Sequence, residues 1–184
     1  MQVIGVVGLP ASGKGEFSRI AKDMNIPVVV MGDVVRKAVL DAGLKINDKN
    51  MGEMSRCLRQ GMGMDALAQL TVPIIDGMKS GVVLVDGIRG DSEVETFMHH
   101  FKNFSLVAVK SPFETRLKRL CERKREDDES DKKGLKERDE RETGWGLLDA
   151  MSMAEYEIDN EGTIEEFEAK VRDVIEKIRN KNEC

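Results

Sequence analysis

Short apolar runs alternate along this chain with longer segments of helical periodicity. The runs are rich in β-branched residues and fall at 3–7, 27–31, 82–85, 104–109 and, more weakly, 156–158. Continuous apolar strands are typical of a parallel sheet that is covered on both faces. The segments between them predict helices at 14–24, 33–42, 64–78, 92–100, 113–125 and 163–180. The pattern therefore predicts a doubly wound α/β fold around one compact core.

Two regions do not follow this alternation. Residues 44–62 are polar and punctuated by glycine, and residues 122–143 are almost wholly charged apart from Leu135. We expect residues 1–184 to form a single domain in which 44–62 is a small insertion. The charged segment is either a solvated helical surface or a polar lid that closes over a bound ligand.

The loop after the first apolar run carries the clearest chemical signal. Its sequence matches the G-x-x-x-x-G-K pattern of a phosphate-binding loop, between a predicted strand and a predicted helix. Glycines in such a loop let backbone N–H groups converge on phosphate oxygens, and the lysine reaches the terminal phosphates. The plainer alternative is a glycine-rich turn with an exposed lysine. We expect a nucleoside triphosphate to bind Gly8, Leu9, Pro10, Ala11, Ser12, Gly13, Lys14 and Gly15.

Gly15 occupies the position where most of these loops have a serine or threonine that binds Mg²⁺. In this respect the loop resembles that of adenylate kinase and related nucleoside monophosphate kinases, in which glycine also follows the lysine. Those kinases usually continue with threonine or serine, whereas this chain has Glu16. The Glu16 carboxylate can approach a metal through water, or it is simply an acidic residue favoured by the helix dipole.

Two further stretches resemble the acceptor side of the same kinases. Residues 31–36 read Met-Gly-Asp-Val-Val-Arg, where Asp33 is placed to cap a helix. The resemblance implies that Arg36 holds the acceptor phosphate. Residues 82–89 read Val-Val-Leu-Val-Asp-Gly-Ile-Arg, and we expect Arg89 to grip a phosphate as well.

Asp86 lies at the carboxyl end of a buried predicted strand, where α/β sheets place their ligand-facing groups. A carboxylate at that position can hold the water shell of Mg²⁺. Asp followed by Gly is also an ordinary turn sequence.

Arginines recur at helical spacing before the charged segment. Arg116, Arg119 and Arg123 share one helical face. If residues 122–143 form a lid, we expect these three arginines to neutralise the phosphoryl group in transfer. Exposed pairs of arginine and glutamate are, however, common on helices.

Residues 154–167 resemble the last strand, Asn-x-Gly turn and final helix of dephospho-CoA kinase. In P-loop kinases this turn lies near the nucleotide base, so the resemblance implies that Asn160 and Gly162 contact the base. Without the family, Asn160 and Gly162 simply form a turn, and Thr163 with Glu166 forms a capping box.

Composition narrows the class of protein. The net charge is -5, and aromatic residues make up 4% of the chain, which does not suggest a nucleic-acid-binding surface. The three cysteines are widely spaced, which is typical of reduced thiols in a cytoplasmic protein. No apolar run approaches the length of a membrane span, so we expect no membrane partner. The oligomeric state is open.

Over nearly its whole length the chain resembles a family of small archaeal P-loop proteins related to adenylate kinase and dephospho-CoA kinase. The features that carry the resemblance are the loop at Gly8, residues 86–89, residues 138–142 with Trp145 and Gly146, and the turn at Asn160. The resemblance implies a five-stranded parallel sheet, ATP and Mg²⁺. Our leading hypothesis is a kinase that moves the γ-phosphoryl group of ATP to a small phosphorylated acceptor such as a nucleoside monophosphate. The alternatives are phosphorylation of a hydroxyl, with Asp33 or Asp86 as general base, and a nucleotide-dependent switch with slow ATPase activity. The sequence leaves the acceptor and the choice between ATP and GTP open.

Overall fold

The computed structural model describes residues 1–123 and 132–181. These residues form a five-stranded parallel sheet in the order β2-β3-β1-β4-β5. The strands are β1 (Gln2–Val7), β2 (Val28–Val30), β3 (Val82–Ile88), β4 (Phe104–Lys110) and β5 (Tyr156–Asp159). The helices described are α1 (Lys14–Asp23), α2 (Met31–Asp41), α3 (Asp48–Met62), α4 (Ala66–Asp76), α5 (Asp91–His100), α6 (Phe113–Arg123), α7 (Lys132–Thr143), α8 (Leu147–Ser152) and α9 (Ile164–Lys181). The predicted fold class is confirmed.

The central strand β1 is buried on both of its faces. Val3 and Val7 belong to the core beneath α2, α3, α4, α5 and α8, whereas Ile4 and Val6 belong to the core beneath α1 and α9. All four side chains are fully buried. Since successive residues of a strand face opposite sides, both sides of β1 must be apolar in a sheet with helices on each face.

Strand β3 is longer than the sequence predicts, because it contains a bulge. Val6 pairs with Asp86 and Val7 pairs with Ile88, so Gly87 is an extra residue between them. Gly87 has a φ of 101°, a backbone conformation that glycine adopts without strain. Asp86 directly precedes the bulge and pairs with Val6, near the carboxyl end of β1.

Each polar region contains a helix, and the helix in 44–62 was not predicted. The insertion contains α3, whose N-terminus is capped by the Asn47 side chain, which accepts a 2.8 Å hydrogen bond from the Asn50 N–H. The charged region contains α7, which is anchored by the fully buried Leu135. The rest of the predicted lid at 124–131, which includes the end of the helix predicted at 113–125, lies outside the described residues.

The start of α2 corrects one prediction. The helix begins at Met31 after Val30, and no side chain caps it. The prediction of Asp33 as the N-cap is therefore wrong: Asp33 lies in the first turn, because the helix continues directly from β2. At the other end of the chain the predicted capping box is confirmed, since Thr163 and Glu166 exchange hydrogen bonds of 3.0 and 3.2 Å.

None of the helices in the described part of the chain is long and apolar enough to cross a membrane.

Candidate active site

The loop between β1 and α1 has two residues with positive φ, and a residue that follows the edge strand β5 is hydrogen-bonded to it. Ala11 has a φ of 59° and Gly13 has a φ of 121°. The Asn160 amide, which follows β5, donates a 2.9 Å hydrogen bond to the Ser12 carbonyl. A Cβ atom at residue 13 would lie 2.2 Å from the same amide nitrogen, so only glycine fits there.

The loop ends in a helix N-terminus suited to an anion. Gly13 occupies the N-cap of α1 and supplies no side-chain hydrogen bond to the first turn. The N–H groups of a first helical turn have no partner within the helix, and the helix dipole gives them positive potential. Together they form a site at which phosphate oxygens bind readily.

Lys14 lies at the start of that helix, with its ammonium folded back onto the loop. Its Nζ donates hydrogen bonds to the carbonyl oxygens of Gly8 and Leu9, the latter at 3.1 Å. Burial lowers the pKa of Lys14 to about 8, against the opposing effect of the nearby carboxylates of Glu142 and Asp86. The loop thus offers phosphates a cation that is already partly desolvated.

Arg116 supports the loop from α6. Its side chain is 3% exposed and donates a 3.1 Å hydrogen bond to the Pro10 carbonyl. It also grips both carboxylate oxygens of Asp139 in α7, at 2.8 and 2.7 Å. In this arrangement Arg116 joins the phosphate loop to the charged helix.

Arg119, one turn further along α6, contacts the loop and the turn after β5. It donates to the Ser12 carbonyl at 3.3 Å and to the backbone and side-chain oxygens of Asn160 at 3.0 and 3.1 Å. Burial lowers the pKa of its guanidinium. The side chain of Arg123, the third predicted arginine, lies outside the described part of the structure.

Asp86 accepts a 2.9 Å hydrogen bond from the hydroxyl of Ser18, which lies one turn after Lys14. Within residues 1–123 and 132–181, no three His, Cys, Asp or Glu side chains come together as a metal-binding group. Mg²⁺ in phosphoryl-transfer enzymes commonly uses one or two carboxylates, together with water and substrate phosphates. A single carboxylate beside a phosphate loop fits that chemistry, so Asp86 is suited to hold the ion.

The loop, the end of β3 and the polar helices α3 and α7 surround a cleft of about 630 Å³. Arg36 lies in it and pairs with Asp33 at 2.6 Å. Of the predicted site residues, those that line the cleft are Pro10, Ala11, Gly13, Lys14, Gly15, Asp33, Arg36, Asp86, Arg89 and Arg119. Asn160 is buried behind the loop, and Gly162, two residues beyond it, is exposed.

Sequence reasoning missed a carboxylate at the centre of the cleft. Glu142 from α7 is 2% exposed, and its Oε1 lies 3.1 Å from the Nε of Arg138 and 3.4 Å from the Nε of Arg89. Burial alone would raise the pKa of Glu142, but Arg89, Arg138 and Lys14 lower it to about 2. The sequence held two signals, neither of which gave Glu142 a role. Residues 138–142 are part of the resemblance to the archaeal family, and Arg138 and Glu142 are spaced i, i+4 within a run where such pairs are frequent.

A second missed group holds the backbone of Arg89. Glu93, at the start of α5, accepts a 2.7 Å hydrogen bond from the Arg89 N–H and pairs at 2.6 Å with Arg59 of α3. Both side chains of this pair are buried, and the Arg59 guanidinium lies 4.3 Å from the centroid of the Trp145 ring. Arg89 is therefore fixed at its backbone by α5 and at its side chain by α7.

Comparison with known proteins places this site in a family. The AAA domain family matches residues 7–136, which include the phosphate loop and β3. A UPF0200 protein from Methanoregula boonei is 56% identical over 175 residues, which cover 95% of this chain and 96% of the relative. The chain belongs to the UPF0200 family. The predicted resemblance to archaeal P-loop proteins is confirmed by this match to an archaeal UPF0200 relative.

Solved structures confirm the P-loop kinase fold. TT1252 from Thermus thermophilus matches with a TM-score of 0.68 at 14% identity, over 96% of this chain and 97% of that one. Shikimate kinase from Bacteroides thetaiotaomicron matches with a TM-score of 0.65 at 12% identity, over 95% of this chain and 98% of the kinase. At such low identity the likeness concerns the fold alone, so the UPF0200 chain shares its fold with these proteins.

Proposed function

We propose that the protein transfers the γ-phosphoryl group of ATP to a small phosphorylated acceptor of the nucleoside monophosphate class. The observation that carries the proposal is that a single cleft contains both the phosphate loop, with Lys14, and two arginines, Arg36 of α2 and Arg89 directly after β3. The first set of groups suits the triphosphate donor. The second set suits a separate phosphate on the acceptor, since guanidinium groups bind phosphate with paired donors.

On the donor side, the N–H groups at the start of α1 and the Lys14 ammonium would bind the β- and γ-phosphates. Arg119 and Asn160 are placed beside the loop through their contacts with Ser12. Bound Mg²⁺ would neutralise charge on the phosphate oxygens, and Asp86 is the residue suited to hold it. Ser18 fixes one oxygen of the Asp86 carboxylate, which limits its rotation.

On the acceptor side, Arg36 and Arg89 would orient the accepting phosphate. Such a nucleophile is already anionic near neutral pH, so it needs no general base. A hydroxyl acceptor does need one. The carboxylates that could serve are Asp33, which pairs with Arg36, and Asp86, which accepts from Ser18. A phosphate acceptor asks neither of them to take up a proton, and it leaves Asp86 to hold Mg²⁺.

Catalysis in such a site is mainly positioning and electrostatic stabilisation. We propose that Lys14 and Arg119, which line the cleft, contact the group in transfer, and that Arg123 acts with them. Arg116 does not line the cleft, and it would act by holding the loop and α7 together through Pro10 and Asp139.

The test is to supply ATP and Mg²⁺ with a panel of acceptors, including AMP, CMP, dAMP and dephospho-CoA, and to follow ADP release. We expect ADP release to depend on a nucleoside monophosphate. Release that depends only on dephospho-CoA would favour hydroxyl phosphorylation. Slow release that no acceptor accelerates would favour a nucleotide-dependent switch.

A further inference from the structure

A buried ion pair lies directly behind the segment that carries Arg89. The Glu93 carboxylate at the start of α5 and the Arg59 guanidinium of α3 lie 2.6 Å apart, and their side chains are 0% and 3% exposed. Burial raises the pKa of Glu93, and Arg59 and the Arg89 N–H oppose that rise. Two charges buried in this way are costly to desolvate, and apolar side chains of similar volume often stabilise a fold equally well. Stability alone is therefore a weak reason for the pair.

Each oxygen of the Glu93 carboxylate has a different partner. Oε1 accepts the 2.6 Å hydrogen bond from Arg59, and Oε2 accepts a 2.7 Å hydrogen bond from the backbone N–H of Arg89. An amide has only one acceptor oxygen, so a glutamine at this position could serve only one of the two donors. The carboxylate thus ties the backbone of Arg89 to helix α3.

The backbone on either side of Arg89 is formed by glycines. Gly87 lies in the β3 bulge with a φ of 101°, and Gly90 precedes α5. A Cβ atom at residue 90 would lie 2.5 Å from the carbonyl oxygen of Trp145, so glycine is required there. Glycine leaves the backbone more conformational freedom than any other residue. The hydrogen bond to Glu93 fixes the peptide plane of Arg89, and with it the direction in which the side chain leaves the backbone.

Helix α3 contributes to the cleft as well as to this pair. Gly52 lies in the wall of the cleft, and Arg59 follows it two turns later on the same face of the helix. The Arg59 guanidinium also lies over the ring of Trp145, 4.3 Å from its centroid, and Trp145 lines the cleft. Arg59 and Glu93 therefore connect the α3 wall of the cleft directly to Arg89.

We infer that Glu93 is a positioning residue for Arg89, and that Arg59 makes the placement of Arg89 depend on the insertion helix α3. The inference rests on the proposed function, in which Arg89 binds the phosphate of the acceptor, and it identifies what sets that arginine. The Arg89 side chain lines the cleft and is 22% exposed, so a change in the direction of its backbone moves its guanidinium relative to a bound phosphate. The acceptor phosphate is held correctly only while Arg59 reaches Glu93.

The opposing interpretation is that Glu93 simply caps α5. A glutamate in the first turn of a helix commonly accepts a backbone N–H at the helix start, and Arg59 is then no more than its counterion. A cap stabilises the helix and does not act through the Arg89 side chain. Substitutions that remove both charges, and either keep or remove the oxygen that accepts from the Arg89 N–H, separate the two interpretations.

Three variants isolate that oxygen. In Glu93→Gln the charged Arg59 attracts the one amide oxygen, so the Arg89 N–H loses its acceptor. The double variant Arg59→Met/Glu93→Gln removes this competition and leaves the amide oxygen to the Arg89 N–H. The double variant Arg59→Met/Glu93→Met also lacks both charges but offers no oxygen, and its second methionine has the unbranched shape of glutamine. Glu95→Gln is the matched control, because Glu95 lies two residues later on α5 and is exposed.

The readout is the affinity for AMP and CMP, measured by calorimetry without turnover, beside that for a non-hydrolysable ATP analogue. We expect Glu93→Gln and Arg59→Met/Glu93→Met to bind the preferred monophosphate at least about 10-fold more weakly than wild type, since a misplaced guanidinium loses a charged hydrogen bond. Arg59→Met/Glu93→Gln should recover to within about threefold of wild type, because its amide oxygen again accepts from the Arg89 N–H. All variants and the control should bind the ATP analogue as wild type does. The inference is overturned if Arg59→Met/Glu93→Gln binds no better than Glu93→Gln, or if the two double variants bind equally.

Combination with Arg89→Ala shows whether Glu93 acts through that side chain. Once the Arg89 guanidinium is gone, Glu93→Gln should weaken monophosphate binding by less than about twofold further, because nothing is left for Glu93 to position. A loss that multiplies with that of Arg89→Ala would reveal a merely structural role and contradict the inference. Thermal unfolding of each protein controls for folding, and this comparison decides the question without the double variants.

Failure of the inference differs from failure of the proposed function. A wild-type protein that binds neither AMP nor CMP, or that binds them equally well after Arg89→Ala, would count against the proposed function. Weaker binding after Arg89→Ala, together with unchanged binding after Glu93→Gln, would overturn the inference alone.

Discussion

Arg141 of α7 and Asp48 of α3 form a two-pronged ion pair, in which each terminal nitrogen lies 2.9 Å from a carboxylate oxygen. Both side chains are only partly exposed. The pair connects the charged helix on one wall of the cleft to the first residue of the insertion helix on the other. Leu135 is the single apolar side chain of α7, so this contact acts together with the Arg116–Asp139 and Arg89–Glu142 pairs to hold the helix over the site.

We predict that Asp48→Asn loosens α7. The loss of a partly exposed bidentate pair removes about 1 kcal/mol of stabilisation. This lowers the ratio of molecules with α7 packed over the cleft to those with α7 detached by about fivefold. Amide hydrogen exchange in residues 132–143 should become faster, and the KM for the acceptor should rise. Glu137→Gln is the control, because Glu137 forms an exposed pair with Lys133 on the same helix. Unchanged exchange in Asp48→Asn would show that α7 is held by other contacts.

Lys14→Ala should abolish most phosphoryl transfer while the fold remains intact. The substitution removes the cation of the loop but not its backbone donors, and we expect kcat/KM for ATP to fall by about three orders of magnitude. Lys37→Ala, an exposed lysine on α2, should behave as wild type. The measurement is steady-state turnover, with circular dichroism to confirm folding. Near-normal turnover by a folded Lys14→Ala protein would refute the assignment of the phosphate loop.

The activity should fall on the alkaline side at an unusually low pH for a lysine. Burial lowers the pKa of Lys14 to about 8, so the ammonium is charged below that pH and neutral above it. The pH dependence of kcat/KM reports groups of the free enzyme, and kcat/KM for ATP should therefore decline as the pH rises through about 8. A profile that stays level to about pH 10, the usual range of lysine, would contradict a buried Lys14.

Arg36→Lys and Arg89→Lys should impair use of the acceptor. Each removes the paired donors of a guanidinium, and a charged hydrogen bond is worth about 1.5–3 kcal/mol. We expect kcat/KM for the acceptor to fall by about 10- to 150-fold and the affinity for ATP to remain almost unchanged. Turnover at fixed saturating ATP measures the effect on the acceptor. A separate measurement of ATP binding gives the effect on the donor. Loss of ATP binding with unaltered acceptor dependence would assign these arginines to the donor.

The strands and the phosphate loop could be predicted from the sequence because each of them is formed by contiguous residues. The apolar run of β1, the glycines of the loop and the start of α1 follow one another within residues 2–23. Helix α3 escaped prediction because Gly52 and Gly61 interrupt a polar segment in which only Met51, Met54 and Leu58 are described as packing on the core.

The ionic contacts in the cleft could not be predicted in the same way. Glu93 and Arg59 lie 34 residues apart, and their pairing depends on how α3 and α5 pack. Glu142 is one of many acidic residues in a charged run, and only the packing of α7 distinguishes it from its exposed neighbour Glu140. Charge alone carries no information on burial, so these roles emerge only from the tertiary structure.

Transfer of the phosphoryl group of ATP to a phosphate of the acceptor creates a diphosphate, which ³¹P NMR of the products detects. The purified protein would be incubated with ATP, Mg²⁺ and each nucleoside monophosphate in turn, with Lys14→Ala as the blank. Our account predicts new resonances of a diphosphate, formed from the acceptor together with ADP and absent from the blank. Signals of inorganic phosphate alone, or of a new phosphate ester on a hydroxyl, would contradict it.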